Sequence, residues 1–199
     1  MSSQRRRREE RQARVQERRR LADAQERRDR LVKWGMTLGT VVVVAALVGY
    51  VLWANVFQEK PGQAVSTQGN LHVQPGQEHE PYNSDPPTSG PHYGSLARWG
   101  IHTEPIAREF QIHNLEDGGV LVQYNCPEGC PDLVQQLEEV VTDAARRYDR
   151  LILAPYPDMD ARIALTAWGR IDKFEEFDRD RITRFVQAFH GIDHHQIGP

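Results

Sequence analysis

Residues 120–148 read VLVQYNCPEGCPDLVQQLEEVVTDAARRY, and how they fold decides the architecture. Val120-Leu-Val-Gln-Tyr124 is a short run of strong β propensity. Pro131 suits the first position of a helix, where a missing N–H costs nothing. Leu133, Val134, Leu137, Val140, Val141 and Ala144 then recur at helical spacing to about Tyr148, so one face of this helix is apolar. A strand, a cysteine loop and an amphipathic helix in succession call for a layered domain containing both element types.

Toward the C-terminus, Leu151-Ile-Leu-Ala154 and Arg162-Ile-Ala-Leu-Thr-Ala-Trp168 read as strands separated by a Pro-Tyr-Pro turn. Asp178 is placed to cap a last helix, with Ile182, Phe185, Val186 and Phe189 on one side and Gly191 as its stop. Toward the N-terminus, Asp117-Gly118-Gly119 is a turn signal. Before it, Arg108-Glu-Phe-Gln-Ile-His113 alternates, with Phe110 and Ile112 facing one way, which predicts a strand and a hairpin with Val120–Tyr124. The expected class is α+β: a small, mainly antiparallel sheet with two packed helices. At ~120 residues such a domain buries a core without needing disulfides.

The rest of the 199 residues divides by composition. Residues 1–33 carry 13 basic and 6 acidic side chains, while residues 34–199 carry 12 and 22. Residues 34–56 (WGMTLGTVVVVAALVGYVLWANV) have no charge, and at ~1.5 Å rise per residue they reach across a ~30 Å hydrocarbon core. The apolar run is longer than a signal-peptide h-region of ~7–15 residues and no A-x-A cleavage signal follows, so a retained single-pass anchor is expected. The basic flank places the N-terminus in the cytoplasm. The expected organisation is therefore a basic cytoplasmic arm (1–33), a transmembrane helix (34–56), a flexible stalk rich in Gln, Gly, Pro, Ser and Thr (57–76) and an extracytoplasmic domain (77–199).

The arm lacks Gly and Pro and carries i,i+4 pairs, Glu10 with Arg14, Asp23 with Arg27 and Glu26 with Arg30, which favour a helix. It reads as a topology signal and a contact for anionic lipid headgroups. No aromatic residue interleaves its arginines, so nucleic acid is not expected as a partner. Gly35 and Gly39 lie four apart, a spacing that permits a helix homodimer but is common in spanning helices.

All eight histidines follow residue 70. Pro86-Pro-Thr-Ser-Gly-Pro-His92 is the most distinctive run: three prolines fix φ, so the loop delivers the His92 imidazole with little entropy left to lose. Together with Glu78-His79-x-x-Tyr82, Ile112-His113-Asn-Leu-Glu116-x-Gly118, Ala154-Pro-Tyr-Pro157 and Ala164-Leu-Thr-Ala-Trp-Gly169, it resembles the bacterial family catalogued as domain of unknown function 3105, over roughly residues 78–190. That resemblance implies a membrane-tethered domain on the outer side of a bacterial plasma membrane, with no settled activity. Family members often carry His where this chain has Asp117, which puts a hard oxygen ligand in place of an imidazole and leaves the metal identity open.

Cys126-Pro-Glu-Gly-Cys130-Pro131 opens a helix, where thiolates are favoured. Over Val120 to Leu137 the pattern resembles the copper-site loop of Sco-type copper chaperones. An ordinary disulfide is the equal alternative outside the cytoplasm. Glu116 and Asp117, adjacent on an expected strand, would point to opposite faces and make no facing acid pair. No G-x-S-x-G, H-E-x-x-H or phosphate-cradling loop occurs, which leaves hydrolase, zincin and nucleotide chemistry without a foothold, and binding is expected rather than catalysis. Trp168 reads as a core or pocket-wall aromatic, and His190-Gly-Ile-Asp-His194-His195 as a solvated tail.

The leading expectation is an extracytoplasmic transition-metal protein, copper first with zinc or iron as alternatives, whose ligands come from His79, His92, His113, Asp117, Cys126 and Cys130. Three rivals stand beside it. The first is a thiol-disulfide or copper-delivery module using Cys126 and Cys130. The second is a non-enzymatic envelope scaffold with a protein partner. The third is an iron-dependent oxygenase with His79, His92 and Asp117 as a facial triad.

Overall fold

The computed structural model describes residues 3–56 and 60–195, and the chain divides into two units, 1–59 and 60–199. The first contains a single helix, α1 (Ser3–Val56), so the basic arm and the uncharged stretch are one continuous element. It is long and apolar enough to cross a membrane. Its large apolar side chains from Leu31 to Trp53 are exposed. Arg30 donates to Glu26 at 3.5 Å, as the i,i+4 spacing predicts. The side chains of Glu10, Arg14 and Asp23 lie outside the described residues.

The described residues of the second unit form, in chain order, β1 (Gln63–Ala64), β2 (His72–Val73), β3 (His92–Tyr93), β4 (Gly100–Ile101), α2 (Arg108–Glu116), β5 (Val120–Tyr124), α3 (Pro131–Ala145), β6 (Leu151–Pro155), β7 (Ile163–Ala167), β8 (Arg170–Phe174) and α4 (Arg179–Phe189). Six strands make one sheet in the order β1-β8-β7-β5-β6-β4, and β2 and β3 make a separate parallel pair. α3 and α4 begin where the sequence indicated: Pro131 is the first residue of α3, and the Asp178 side chain accepts a hydrogen bond from Arg181 N.

The sheet is mixed, where a mainly antiparallel one was expected. β1, β8, β7 and β5 run antiparallel to their neighbours, but β5, β6 and β4 are parallel. The cause is α3: a strand–helix–strand crossover returns the chain in the same direction. β8, unforeseen in the sequence, forms a hairpin with β7 through Trp168 and Gly169.

The sheet is covered on both faces, which is why β5 to β7 read as nearly continuous apolar runs. Val120, Val122, Leu151, Leu153, Ile163 and Leu165 pack with Leu137 and Val140 of α3 and Phe185 and Phe189 of α4. On the opposite face Leu121, Ile152 and Ala154 cluster with Leu115 of α2, Trp99 and Trp168.

α2 is the main departure from expectation, since residues 108–113 are helical rather than extended. Six alternating residues are too few to separate the two periods. The burial of Gln111, Ile112, Leu115 and Glu116 follows a helical stripe instead. The third helix, besides the two expected, therefore sits on the second sheet face. It ends at Gly118, whose φ of 80° is the left-handed conformation typical of a helix stop.

The segment expected as a flexible stalk also pairs with the domain. Gln63–Ala64 adds to β8, and His72–Val73 runs beside His92–Tyr93. Between them, Gln68 N donates to Ser89 Oγ, Gly90 N to Gly69 O and His92 N to Leu71 O. These bonds clamp the proline-rich loop.

Candidate metal centre

Three elements deliver imidazoles to one point. The Pro-Pro-Thr-Ser-Gly-Pro loop ends in His92, with Thr88, Ser89 and His92 all 0% exposed. The register of β2 against β3 sets His72 directly beside His92. α2 contributes His113 and Glu116, and a spacing of three on a helix puts both on the same face. One potential ligand atom from each of His72, His92, His113 and Glu116 lies within 4.8 Å of all the others. The His72 and His113 rings stack at 5.2 Å, and His92 meets them edge-on at 4.8 and 5.1 Å.

Hydrogen bonds decide which nitrogens are free. His92 Nδ1 lies 2.9 Å from the Gly90 carbonyl and His113 Nδ1 lies 2.7 Å from the Tyr93 carbonyl. A carbonyl only accepts, so both Nδ1 atoms carry hydrogen, and in the neutral rings Nε2 holds the lone pair. His92 Nε2 points at Glu116 Oε2 from 3.0 Å, and His72 Nε2 lies 3.7 Å from the same oxygen. The other carboxylate oxygen accepts from Asn70 Nδ2 at 2.7 Å, which orients the group. Two lone pairs facing each other at that range repel unless a cation, either a proton or a metal ion, lies between them. Ligands about 2.0–2.1 Å from a tetrahedral ion stand ~3.3–3.4 Å apart, and the 3.0 and 3.7 Å separations bracket that value.

Burial opposes a proton on His92. Burial pushes His92 below the ordinary imidazole range, the Gly90 carbonyl and Glu116 oppose that shift, and His113 and His72 add to it. Glu116 is 1% exposed. Among the described residues its ion-pair partners are all histidines: His72, His92 and His195. A carboxylate this deeply buried requires positive charge nearby.

Comparison with protein families matches residues 72–197, more than half of the chain, to the proteins of unknown function DUF3105. The chain belongs to the DUF3105 family. The matched DUF3105 region begins at His72 and so contains the whole histidine and glutamate group, while α1 lies outside it. Neither the curated proteins nor the solved structures gave a match, so the likeness of the cysteine loop to Sco-type copper chaperones has no support there.

Of the ligands expected from sequence, this DUF3105 domain brings His92 and His113 together, sets Asp117 in an adjoining group with His113, and leaves His79, Cys126 and Cys130 outside both. His79 faces elsewhere: its Nδ1 donates to Glu80 O at 2.8 Å and its Nε2 lies 3.6 Å from Glu109. The third imidazole is His72, from the expected stalk. With His79 elsewhere, the His79, His92 and Asp117 triad does not assemble. Cys126 and Cys130 are joined in a disulfide at the start of α3, separated from the end of α2 by the length of β5. Asp117 belongs to a second group with His113 and His195.

The C-terminal tail, expected to be solvated, is bound to the centre. Gly191 N donates to Gly118 O and His194 N to Glu116 O, both at 2.8 Å. The His194 ring stacks on Trp168, centroids 5.8 Å apart, and Trp168 lies 6.4 Å from His92, so this tryptophan is a wall of the site. His195 Nε2 is 3.5 Å from Glu116 Oε2, and its Nδ1 bonds Asp193 at 2.8 Å. That bond holds His195 above the ordinary imidazole range, whereas burial lowers His194. Glu116 was legible only as a residue of the His113–Gly118 motif and as half of an adjacent acid pair. Its role emerges once α2 is a helix.

Proposed function

We propose that this protein is a membrane-anchored DUF3105 domain that binds one divalent transition-metal ion, copper(II) above all, through His72, His92, His113 and Glu116. The observation that carries this reading is the gathering of His72, His92, His113 and a buried Glu116 within 4.8 Å, with backbone carbonyls holding Nδ1 of His92 and His113 so that their Nε2 atoms keep the lone pairs. Three imidazoles and a carboxylate suit copper, zinc or iron, and copper(II) stands highest in the affinity series for such donors. No sulfur joins the set, which favours the divalent over the monovalent ion. Residues 34–56 are the anchor, and the basic flank before Trp34 puts the N-terminus inside and the metal domain outside the cytoplasm.

The test is elemental analysis with electron paramagnetic resonance on the full chain, purified in detergent without chelators or a histidine tag. One copper per chain with a nitrogen-coordinated signal is expected, lost in His92→Ala and retained in the double variant Cys126→Ser/Cys130→Ser. Absence of copper, zinc and iron from the wild-type chain after exposure to each would leave an envelope scaffold as the better reading. Loss of copper in the double cysteine variant would favour the thiol module.

A further inference from the structure

His113 belongs to two coordination groups at once. It lies one helical turn before both Glu116 and Asp117, and so reaches the buried set with His72, His92 and Glu116, and also a more open set with Asp117 and His195. In each set the candidate ligand atoms lie within 4.8 Å of one another. The side chains peculiar to each set differ in exposure: His92 and Glu116 are 0% and 1% exposed, with His72 at their edge at 51%, whereas Asp117 is 24% and His195 44% exposed. His195 spans the gap between the sets: its Nδ1, 3.5 Å from Asp117 Oδ1, is held by the Asp193 carboxylate at 2.8 Å, which leaves Nε2, 3.5 Å from Glu116 Oε2, as its donor atom.

The chemistry of His113 prevents the two sets from filling together. Its Nδ1 hydrogen is committed to the Tyr93 carbonyl at 2.7 Å, so the ring has a single lone pair, on Nε2, to offer. One lone pair binds one ion. The two groups are therefore alternative positions for the same ion rather than a dinuclear centre.

We infer that Asp117 and His195 form with His113 an outer position through which the metal ion is loaded into, and released from, the buried set. This rests on the metal reading above. The ion keeps its bond to His113 while Asp117 and His195 are exchanged for His72, His92 and Glu116. The step is ligand substitution only, with no change of oxidation state. The tail is held for this purpose by Gly191 N on Gly118 O, His194 N on Glu116 O and the His194 ring on Trp168. His195 thus stands at the mouth of the site on an anchored backbone.

The experiment is stopped-flow transfer of copper(II) from a weak chromophoric chelator to the full chain in detergent, and back to a strong one. Wild type, His195→Ala and Asp117→Asn are compared, each with equilibrium affinity and stoichiometry. Expected is one copper per chain in all three, with loading and release both slowed by the same factor in each variant, and with affinity therefore nearly unchanged. Unaltered rates would overturn the inference, because loading would then pass directly by His72. Two coppers per wild-type chain would overturn it, as would faster release with weaker affinity, which would make His195 an ordinary ligand of the buried set. A wild-type chain that takes up no copper refutes the metal reading itself, a result distinct from all of these.

Discussion

Replacing Glu116 by glutamine separates the two cations that can relieve its contact with His92. In the metal-free protein, Oε2 sits 3.0 Å from a ring nitrogen whose partner nitrogen is already committed to Gly90, and the carboxylate is 1% exposed. A glutamine amide in the same place donates to His92 Nε2 and still accepts from Asn70. It therefore exchanges a buried charge for a neutral hydrogen bond, a gain of about 0.5–1.5 kcal/mol. For a domain of this size that is a rise in melting temperature of roughly 2–6 °C. With copper the sign reverses. An ion present at 100 times its dissociation constant stabilises wild type by about 2.7 kcal/mol, roughly 8–11 °C. Losing an anionic donor weakens binding at least tenfold, which cuts the copper-induced rise to about 5 °C or less. Thermal melts of the detergent-solubilised chain, followed by the fluorescence of Trp99 and Trp168 with and without copper, read both effects. A Glu116→Gln protein that melts lower than wild type without metal, yet gains as much from copper, would refute the lone-pair reasoning.

Three further outcomes follow from the geometry. His72→Ala should abolish stoichiometric copper binding whereas His79→Ala, whose ring faces Glu109, should leave it intact; elemental analysis of both variants distinguishes them. Gly118→Ala places a Cβ 2.8 Å from the backbone of Ile192 at a φ of 80°, so it should cost about 1–3 kcal/mol and release the tail; thermal melts and hydrogen exchange of residues 190–195 measure this. Cys126→Ser/Cys130→Ser opens a loop closed across a separation of four residues, worth about 2 kcal/mol in the chain-entropy account, and denaturant unfolding should show that loss.

How much of this was legible in the sequence depended on whether a residue's role was set locally. α3 and α4 were readable because Pro131 and Asp178 act on their own first turns and the apolar stripes span two turns or more. His92 stood out because three prolines stiffen the chain before it. α2 was misread because its burial includes Gln111, Asn114 and Glu116, polar side chains satisfied by tertiary partners: Gln111 by Ile106 and Gln123, Asn114 by Ala97, Glu116 by Asn70 and the histidines. Hydrophobic periodicity cannot register a buried polar face. His72 was hidden for a different reason. Residues 60–76 are ordered by backbone pairing with β8 and the proline-rich loop and by polar bonds of Gln68 and Asn70, none of which leaves a mark on hydrophobic patterning. Reading α2 as a helix would have placed His113 and Glu116 on one face from sequence alone, but the partnership with His72 needed the three-dimensional register.

The sheet ends in β1 and β4, each only two residues long. Beyond the β1 pairing, β8 carries a buried Asp172 paired with Arg181 and a half-buried Lys173 tied to Asp160. A foreign strand arriving at either border finds little free backbone to dock against and charge where it would need apolar contact. The fold is thereby guarded against edge-to-edge polymerisation.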